Sequence, residues 1–348
     1  MTTKIEVSDL IASVAGFQVA GIDAGLRKQP APDLALIVME AAGAAAGVFT
    51  SNKVQAAPVI LDRALLADHP ERIRAVLINA ACANACTGEP GMENARSTQK
   101  WVAEMLGCQA DEVLVMSTGV IGVQLPIEKM RAGIPVAAQS LSATNWAVAA
   151  RAIMTTDTKP KSASVIADGY SIAGIAKGAG MIAPNMATLL STVVTDAVIS
   201  PALLQKALLE AVDVSFNRVV IDGDMSTNDT LLALASGRSG TVINEGNYPQ
   251  FVASLTAVCE NLSPQDRCRW RRRHPLHHHP CKNAATMRRR PLDRQPSPPR
   301  RWSRPLLRWR RQLGTHSRRR RTLRRGHRSV ESLAVVRRTA TGVEWACR

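Results

Sequence analysis

The sequence predicts a mixed α/β protein over residues 1–262, followed by a segment of different character. Short apolar runs bounded by Gly, Asn and Asp turns alternate with stretches of helical spacing, the pattern of buried strands joined by helices. A chain of 348 residues with 46% apolar content is long enough for a sizeable core. The third observation is a charge boundary. Residues 1–261 hold 18 Lys+Arg and 24 Asp+Glu, a net −6, whereas residues 262–348 hold 26 and 4, a net +22.

In chain order, LALIVM (34–39), AVLINA (75–80), EVLVMSTGV (112–120) and RVVIDGD (218–224) predict buried strands. Helical patterns predict helices over 90–107, 126–132, 140–153 and 200–213. The last of these has Ser200 as N-cap and Pro201 at the first helical position, where a missing N–H costs nothing. No internal repeat is visible.

Several function classes are set aside by the same reading. The N-terminus, MTTKIEVSDLIASVAGF, carries Glu6 and Asp9 where a secretion signal needs a basic start and an unbroken apolar stretch. The longest apolar runs, such as the one closed by Glu40, fall far short of the roughly 20 residues that span a bilayer. A cytoplasmic protein without membrane partners is expected. Seven cysteines at irregular spacing (82, 86, 108, 259, 268, 281 and 347) make no disulfide framework. Cys82 and Cys86 have no second pair or histidine beside them in sequence to complete a zinc site, so no metal is expected.

After Leu262 the remaining 86 residues contain no Ile, Phe or Tyr and hold 25 Arg against one Lys. Such a segment buries too little apolar surface to offset its ordering entropy, so residues 263–348 are expected to be disordered. An Arg-rich arm binding nucleic acid is one reading of the charge, since a net +22 attracts phosphates without specificity. A metal cluster of His274, His277, His278, His279 and Cys281 is another. The genetic code supports a third. Back-translated and read one base later, RCRWRRRHPLHHH (267–279) allows VADGEGGIRFIT, and RQLGTHS (311–317) allows GNWGRI. One constant offset yields foldable sequence at two separated places, so the tail is expected to be out of frame from about residue 263. No specific nucleic-acid partner follows from it.

The chemistry centres on KGAGMIAPNMAT (177–188). A threonine that opens a β-branched run is ordinarily a strand residue. Here the Gly- and Pro-rich approach and the small Ala187 permit a tight turn, and a cut between Ala187 and Thr188 would place a free α-amine, of pKa about 8, beside the Thr188 hydroxyl as its base. STGVIG (117–122) follows a predicted strand and could offer the Thr118 hydroxyl and a Gly119 N–H to an oxyanion, although Ser-Thr-Gly turns are mostly structural. Lys177 could pair with a substrate carboxylate or simply be a solvated charge. Asp222 and Asp224, around Gly223, read as a turn rather than an acid/base dyad.

Together GVFTSNKVQAAPV (47–59), NACTGEPGMENA (84–95), STGVIG, MTTDT (154–158), AKGAGMIAPNMAT and VIDGDMSTNDT (220–230) resemble the ornithine acetyltransferases, or glutamate N-acetyltransferases, of cyclic arginine biosynthesis. The likeness covers residues 12–262 with the motifs in the family's order. It implies an αββα layered sandwich and a precursor that cuts itself at Ala187/Thr188, giving an α chain (1–187) and a β chain that begins with Thr188 and runs to 262 in the written frame.

The resemblance implies that Thr188 carries acetyl from N-acetylornithine to glutamate, that Thr118 and Gly119 form the oxyanion hole, and that Thr155 and Lys177 contact substrate with Thr188. It implies two α and two β chains, and no cofactor, with acetyl-CoA as an acetyl donor in some members. The family's NSGNANACTG stands here as NAACANACTG (79–88), with Ala81 for Gly and Cys82 for Asn, so the family's geometry does not carry over to that loop from the resemblance alone. An out-of-frame tail would leave the sandwich incomplete in its C-terminal half and without the family's later substrate contacts, so a chain that fails to fold stably or to transfer acetyl is expected. The alternatives are an N-terminal-nucleophile aminopeptidase or amidase, which would pass the acyl group to water, and a nucleic-acid binder using the tail.

Overall fold

The computed structural model describes residues 5–178, 189–218, 225–263, 337–339 and 342–344. Ala187, Thr188, Asp222 and Asp224 lie outside the described residues, as do the histidines of the tail. Contacts divide the chain into two units, 1–314 and 315–348.

The first unit is built as four layers. Its strands are β1 (Phe17–Ile22), β2 (Leu34–Phe49), β3 (Ile73–Asn79), β4 (Val113–Ser117), β5 (Lys161–Ala167), β6 (Tyr170–Lys177), β7 (Leu190–Thr195) and β8 (Thr230–Ala235). The hydrogen-bonded order is β4-β3-β2-β8-β7-β6-β5, with β1 also on β2. The first half of β2 pairs with β1 and β3, and residues 44–49 pair with β8. The register shifts between Val38 and Gly43, so one long strand serves two sheets. Gly43 is required there, because a Cβ would lie 2.4 Å from the Ala235 carbonyl oxygen.

The period of two along each strand sorts side chains into separate cores. On β2, Leu34, Leu36 and Val38 face one way, into a core with helices α2 (Gly88–Leu106) and α3 (Ile127–Gln139). Ala35, Ile37 and Met39 face the other way and meet Ala173, Ile175, Val194, Leu232 and Leu234 of the second sheet. The far face of that second sheet, with Ile172, Val193, Leu231 and Ala233, is covered by α5 (Pro201–Val214) and α6 (Tyr248–Leu262). The order helix, sheet, sheet, helix is therefore dictated by alternation, and the αββα expectation holds.

Individual elements depart from the sequence reading in instructive ways. The helix expected over 126–132 continues through Pro135 to Gln139, because Ile134 and Ala137 are buried on the same face as Met130. The helix expected over 140–153 shortens to α4 (Trp146–Ala152), since Ser142 forms a bridge with Val19. Helix α5 starts as expected: Ser200 Oγ accepts from Leu203 N and Pro201 opens the helix. Helices α1 (Ala57–Asp68) and α6 have no counterpart among the helices expected from the sequence. The expected strand 218–224 falls mostly outside the described residues, and Arg218 ends a short 3-10 turn. Within the tail expected to be disordered, Arg337–Thr339 and Gly342–Glu344 form a short antiparallel ladder in the second unit. Among the described residues, no helix is long and apolar enough to cross a membrane.

Candidate active site

Strands β3 and β4 run parallel and end side by side, with Asn79 opposite Ser117. The chain leaving each strand is stitched to the other. Thr118 N donates to Asn79 O (3.0 Å), Val120 N to Ala81 O (3.0 Å), Ala83 N to Val120 O (2.9 Å) and Gly122 N to Ala85 O (2.9 Å). Ser117 Oγ donates to Asn79 Oδ1 at 2.6 Å, and Asn79 Nδ2 donates to Cys82 O at 2.9 Å. From the other sheet, buried Asn228 donates to both Ala83 O (2.7 Å) and Ser117 O (2.8 Å).

Close approach explains Gly119. Its φ is +142°, and an added Cβ would stand 2.1 Å from the Ala81 carbonyl carbon. Ala81 itself adopts φ +74°, a left-handed conformation that favours glycine. In the loop where Ala81 stands for the family's Gly, alanine thus takes a backbone conformation that favours glycine and bears its strain. Cys82 is buried, with Sγ directed at Val123 O (3.3 Å), and burial pushes its thiol pKa up. Cys86 is exposed. Among the described residues, no group of three or more His, Cys, Asp or Glu could hold a metal ion.

The second sheet brings charges to the same place. Lys177, the last residue of β6, is 3% exposed. Its Nζ donates to Thr118 Oγ1 at 2.6 Å and to Thr155 Oγ1 at 3.4 Å. The reading of Lys177 as a solvated charge is therefore overturned. A hydroxyl that accepts from an ammonium keeps its own proton to donate elsewhere, so Thr118 is poised as a donor. Three of the sequence-predicted site residues thus converge, and Gly119 adjoins them.

Three ionisable residues with no assigned role surround Lys177. Asp157 accepts from Lys161 Nζ (3.1 Å), Gly178 N (2.8 Å) and Thr155 N (3.4 Å). Burial pushes the Asp157 carboxyl up, but Lys161, Lys177 and the Gly178 N–H outweigh it and hold the pKa below the ordinary value. Lys161 also donates to Gly178 O. Asp229, 1% exposed, accepts from Leu189 N at 3.0 Å through Oδ1, while buried Oδ2 has no hydrogen-bond partner at ordinary distance among the described residues. Burial raises its pKa to about 7, against the opposing pull of Leu189 N, Lys177 and Ser226. Burial likewise lowers the pKa of Lys177, opposed by Asp157 and Asp229. The described residues on either side of 179–188, Gly178 and Leu189, thus each donate a backbone N–H to a buried carboxylate. In the sequence, Asp157 and Asp229 lie inside motifs already singled out, MTTDT and STNDT, but nothing there marks them as buried.

The family model for ArgJ matches residues 18–265. The chain belongs to the ArgJ family. An arginine biosynthesis bifunctional protein ArgJ from Geobacter sulfurreducens is 50% identical over 258 residues, which cover 72% of this chain and 65% of that protein. Its counterpart from Streptomyces coelicolor is 44% identical over 256 residues, covering 73% and 66%. An ornithine acetyltransferase solved in complex with ornithine, from Mycobacterium tuberculosis, is 37% identical, with a TM-score of 0.48, and covers 54% of this chain and 100% of that one. The chain therefore spans about two thirds of the length of the curated ArgJ relatives it matches.

Proposed function

We propose that residues 1–262 are the catalytic portion of an acetyltransferase that moves acetyl from N-acetylornithine to glutamate through Thr188, in arginine biosynthesis. The observation that carries this reading is the buried Lys177–Thr118–Thr155 contact, at the strand end that leads into KGAGMIAPNMAT. It gathers a hydroxyl donor and a cation where an acyl oxygen would gain charge.

In this reading the Thr188 hydroxyl first attacks the Ala187 carbonyl carbon. The C–N bond breaks, leaving an ester and a Thr188 amine, and water hydrolyses the ester to free the Ala187 carboxylate. The amine then serves as base. Thr188 Oγ attacks the acetyl carbonyl of N-acetylornithine, Thr118 and Gly119 hold the oxyanion, and ornithine leaves with the proton. The amine of glutamate attacks the acetyl ester, and the proton returns to Oγ. The acetyl group passes between two amines of similar energy, so no cofactor is called for. The α chain (1–187) and β chain would act as a cytoplasmic assembly of two copies each. Residues 263–348 are the family's remaining β chain read out of frame.

The test is expression of the chain as written and with the tail restored to the shifted frame. Both are expected to yield a fragment beginning at Thr188, and Thr188→Ala to remain whole. Glutamate-dependent acetyl transfer from N-acetylornithine is expected only with the shifted-frame tail. Release of acetate without glutamate would point instead to a hydrolase, and chains that stay intact would overturn the proposal. Peptide IVADGEGGIR in protein from the native source supports the frame assignment; peptides from HPLHHHPCK overturn it.

A further inference from the structure

The pair Asp157–Lys161 is buried at 1% and 5% side-chain exposure, and desolvating two charges gives little net stability by itself. Hydrogen bonds from the pair to described residues converge on two short segments. Asp157 takes the N–H of Gly178 and the N–H of Thr155, and Lys161 donates to the carbonyl of the same Gly178. Both backbone polar groups of one glycine are thus held by one ion pair.

The sheet sets this up. Lys161 opens β5 directly opposite Ala176 of β6, so its side chain need reach only two residues further along the neighbouring strand. Gly178 has φ +148°, a backbone that favours glycine, and sits where the chain leaves β6 immediately after Lys177. The segment from Gly178 runs to Ala187 and Thr188.

We propose that the Asp157–Lys161 pair is a positioning device for self-cleavage: by gripping Gly178 against the Thr155 loop, it sets the direction in which the chain departs toward the Ala187–Thr188 bond and keeps Lys177 on Thr118. The pair touches neither reacting atom, and the step it serves is the hydrolysis written above, consuming one water and leaving a carboxylate on Ala187 and an amine on Thr188. The inference rests on the proposed self-processing. A displacement of about 1 Å at a reacting centre costs on the order of 100-fold in rate, the scale expected on losing the grip.

The experiment is a time course of cleavage in the full chain, read on denaturing gels beside a thermal melt of each variant. Asp157→Ala is expected to slow cleavage about 100-fold. Asp157→Asn, which keeps an oxygen for the Gly178 N–H, should recover part of that loss, and Lys161→Met should fall between them. Leu208→Ala, in the core under α5, lowers the melting midpoint but should cleave at the parent rate, which separates positioning from general stability. Asp157→Ala and Lys161→Met chains that cleave as fast as the parent would overturn this inference alone. Should Asp157→Ala fail to fold, Asp157→Asn decides: parent-rate cleavage by a folded Asp157→Asn together with Lys161→Met overturns it. A parent chain that never cleaves would overturn the self-processing reading and this one with it.

Discussion

The two sheets meet at the site with different materials. The end contributed by β3 and β4 is a wall of neutral hydrogen bonds, with Asn79 and Ser117, braced by Asn228 from the other sheet, fixing the backbone around Ala81 and Gly119. The end contributed by β5, β6 and β8 carries Asp157, Lys161, Lys177 and Asp229, all buried. Neutral dipoles fixed in place suit a charge that appears only during reaction, because they need no reorganisation. Burial and neighbouring charges displace the pKa values of Asp157, Lys177 and Asp229 from their ordinary ranges, a condition that suits groups that exchange protons. One wall is neutral and the other ionisable.

Substitutions can break this contrast, and the largest effect is expected on the neutral wall. Gly119→Ala forces a Cβ into the Ala81 carbonyl, where backbone rather than a flexible side chain must yield. A loss of about 4 kcal/mol or more in unfolding free energy is expected, together with loss of cleavage. Denaturant titration measures the first and gel analysis the second.

On the charged wall the expected effect depends on pH. The folded-state pKa of Asp229 is raised to about 7. Its proton is therefore held more tightly in the folded chain than in the unfolded one. The stability this gives is complete below about pH 4 and is lost as pH rises through 7. Asp229→Asn keeps an oxygen for Leu189 N and cannot ionise. It should raise stability by up to about 4 kcal/mol at pH 8 and change little at pH 4. Equal shifts at both pH values would show that Asp229 is no different from the neutral wall.

Asn228→Ala sharpens the comparison from the seam between the walls. It removes donors from two buried carbonyls, those of Ala83 and Ser117, at an expected cost of about 3 kcal/mol that is independent of pH. The smallest effect is expected from Ala81→Gly. Relief of a left-handed alanine should stabilise by about 1 kcal/mol, measurable as a modest rise in midpoint with no loss of cleavage.

What was legible in the sequence follows the same division. The unbroken apolar run LALIVM and the Ser200–Pro201 start of α5 were readable because they are local signals. The second half of β2 was not, because AAGAAAGVF carries little hydrophobic contrast and becomes a strand by pairing with β8. Helix α1 hides behind the buried Asp62, whose carboxylate accepts Val115 N on the open edge of β4. At the site, Thr118 and Lys177 were candidates from their local sequence and Thr155 through motif resemblance. Asp157, Lys161 and Asp229 were not, because a charged residue in a sequence reads as solvated unless its buried surroundings are known, and Gly178 and Leu189 lie 17 residues from Lys161 and 40 from Asp229.

Strand order has a last consequence for a chain cut between residues 187 and 188. The strands on either side of the cut, β6 and β7, are antiparallel neighbours paired from Lys177–Leu190 onward, and β7 and β8 lie between β6 and β2. The downstream fragment would supply the middle of a sheet whose margins belong to the upstream one. Severing the backbone there would produce two polypeptides that migrate separately in detergent yet remain one particle in native buffer, since pulling them apart means opening ladders on both sides of β7 and β8 at once.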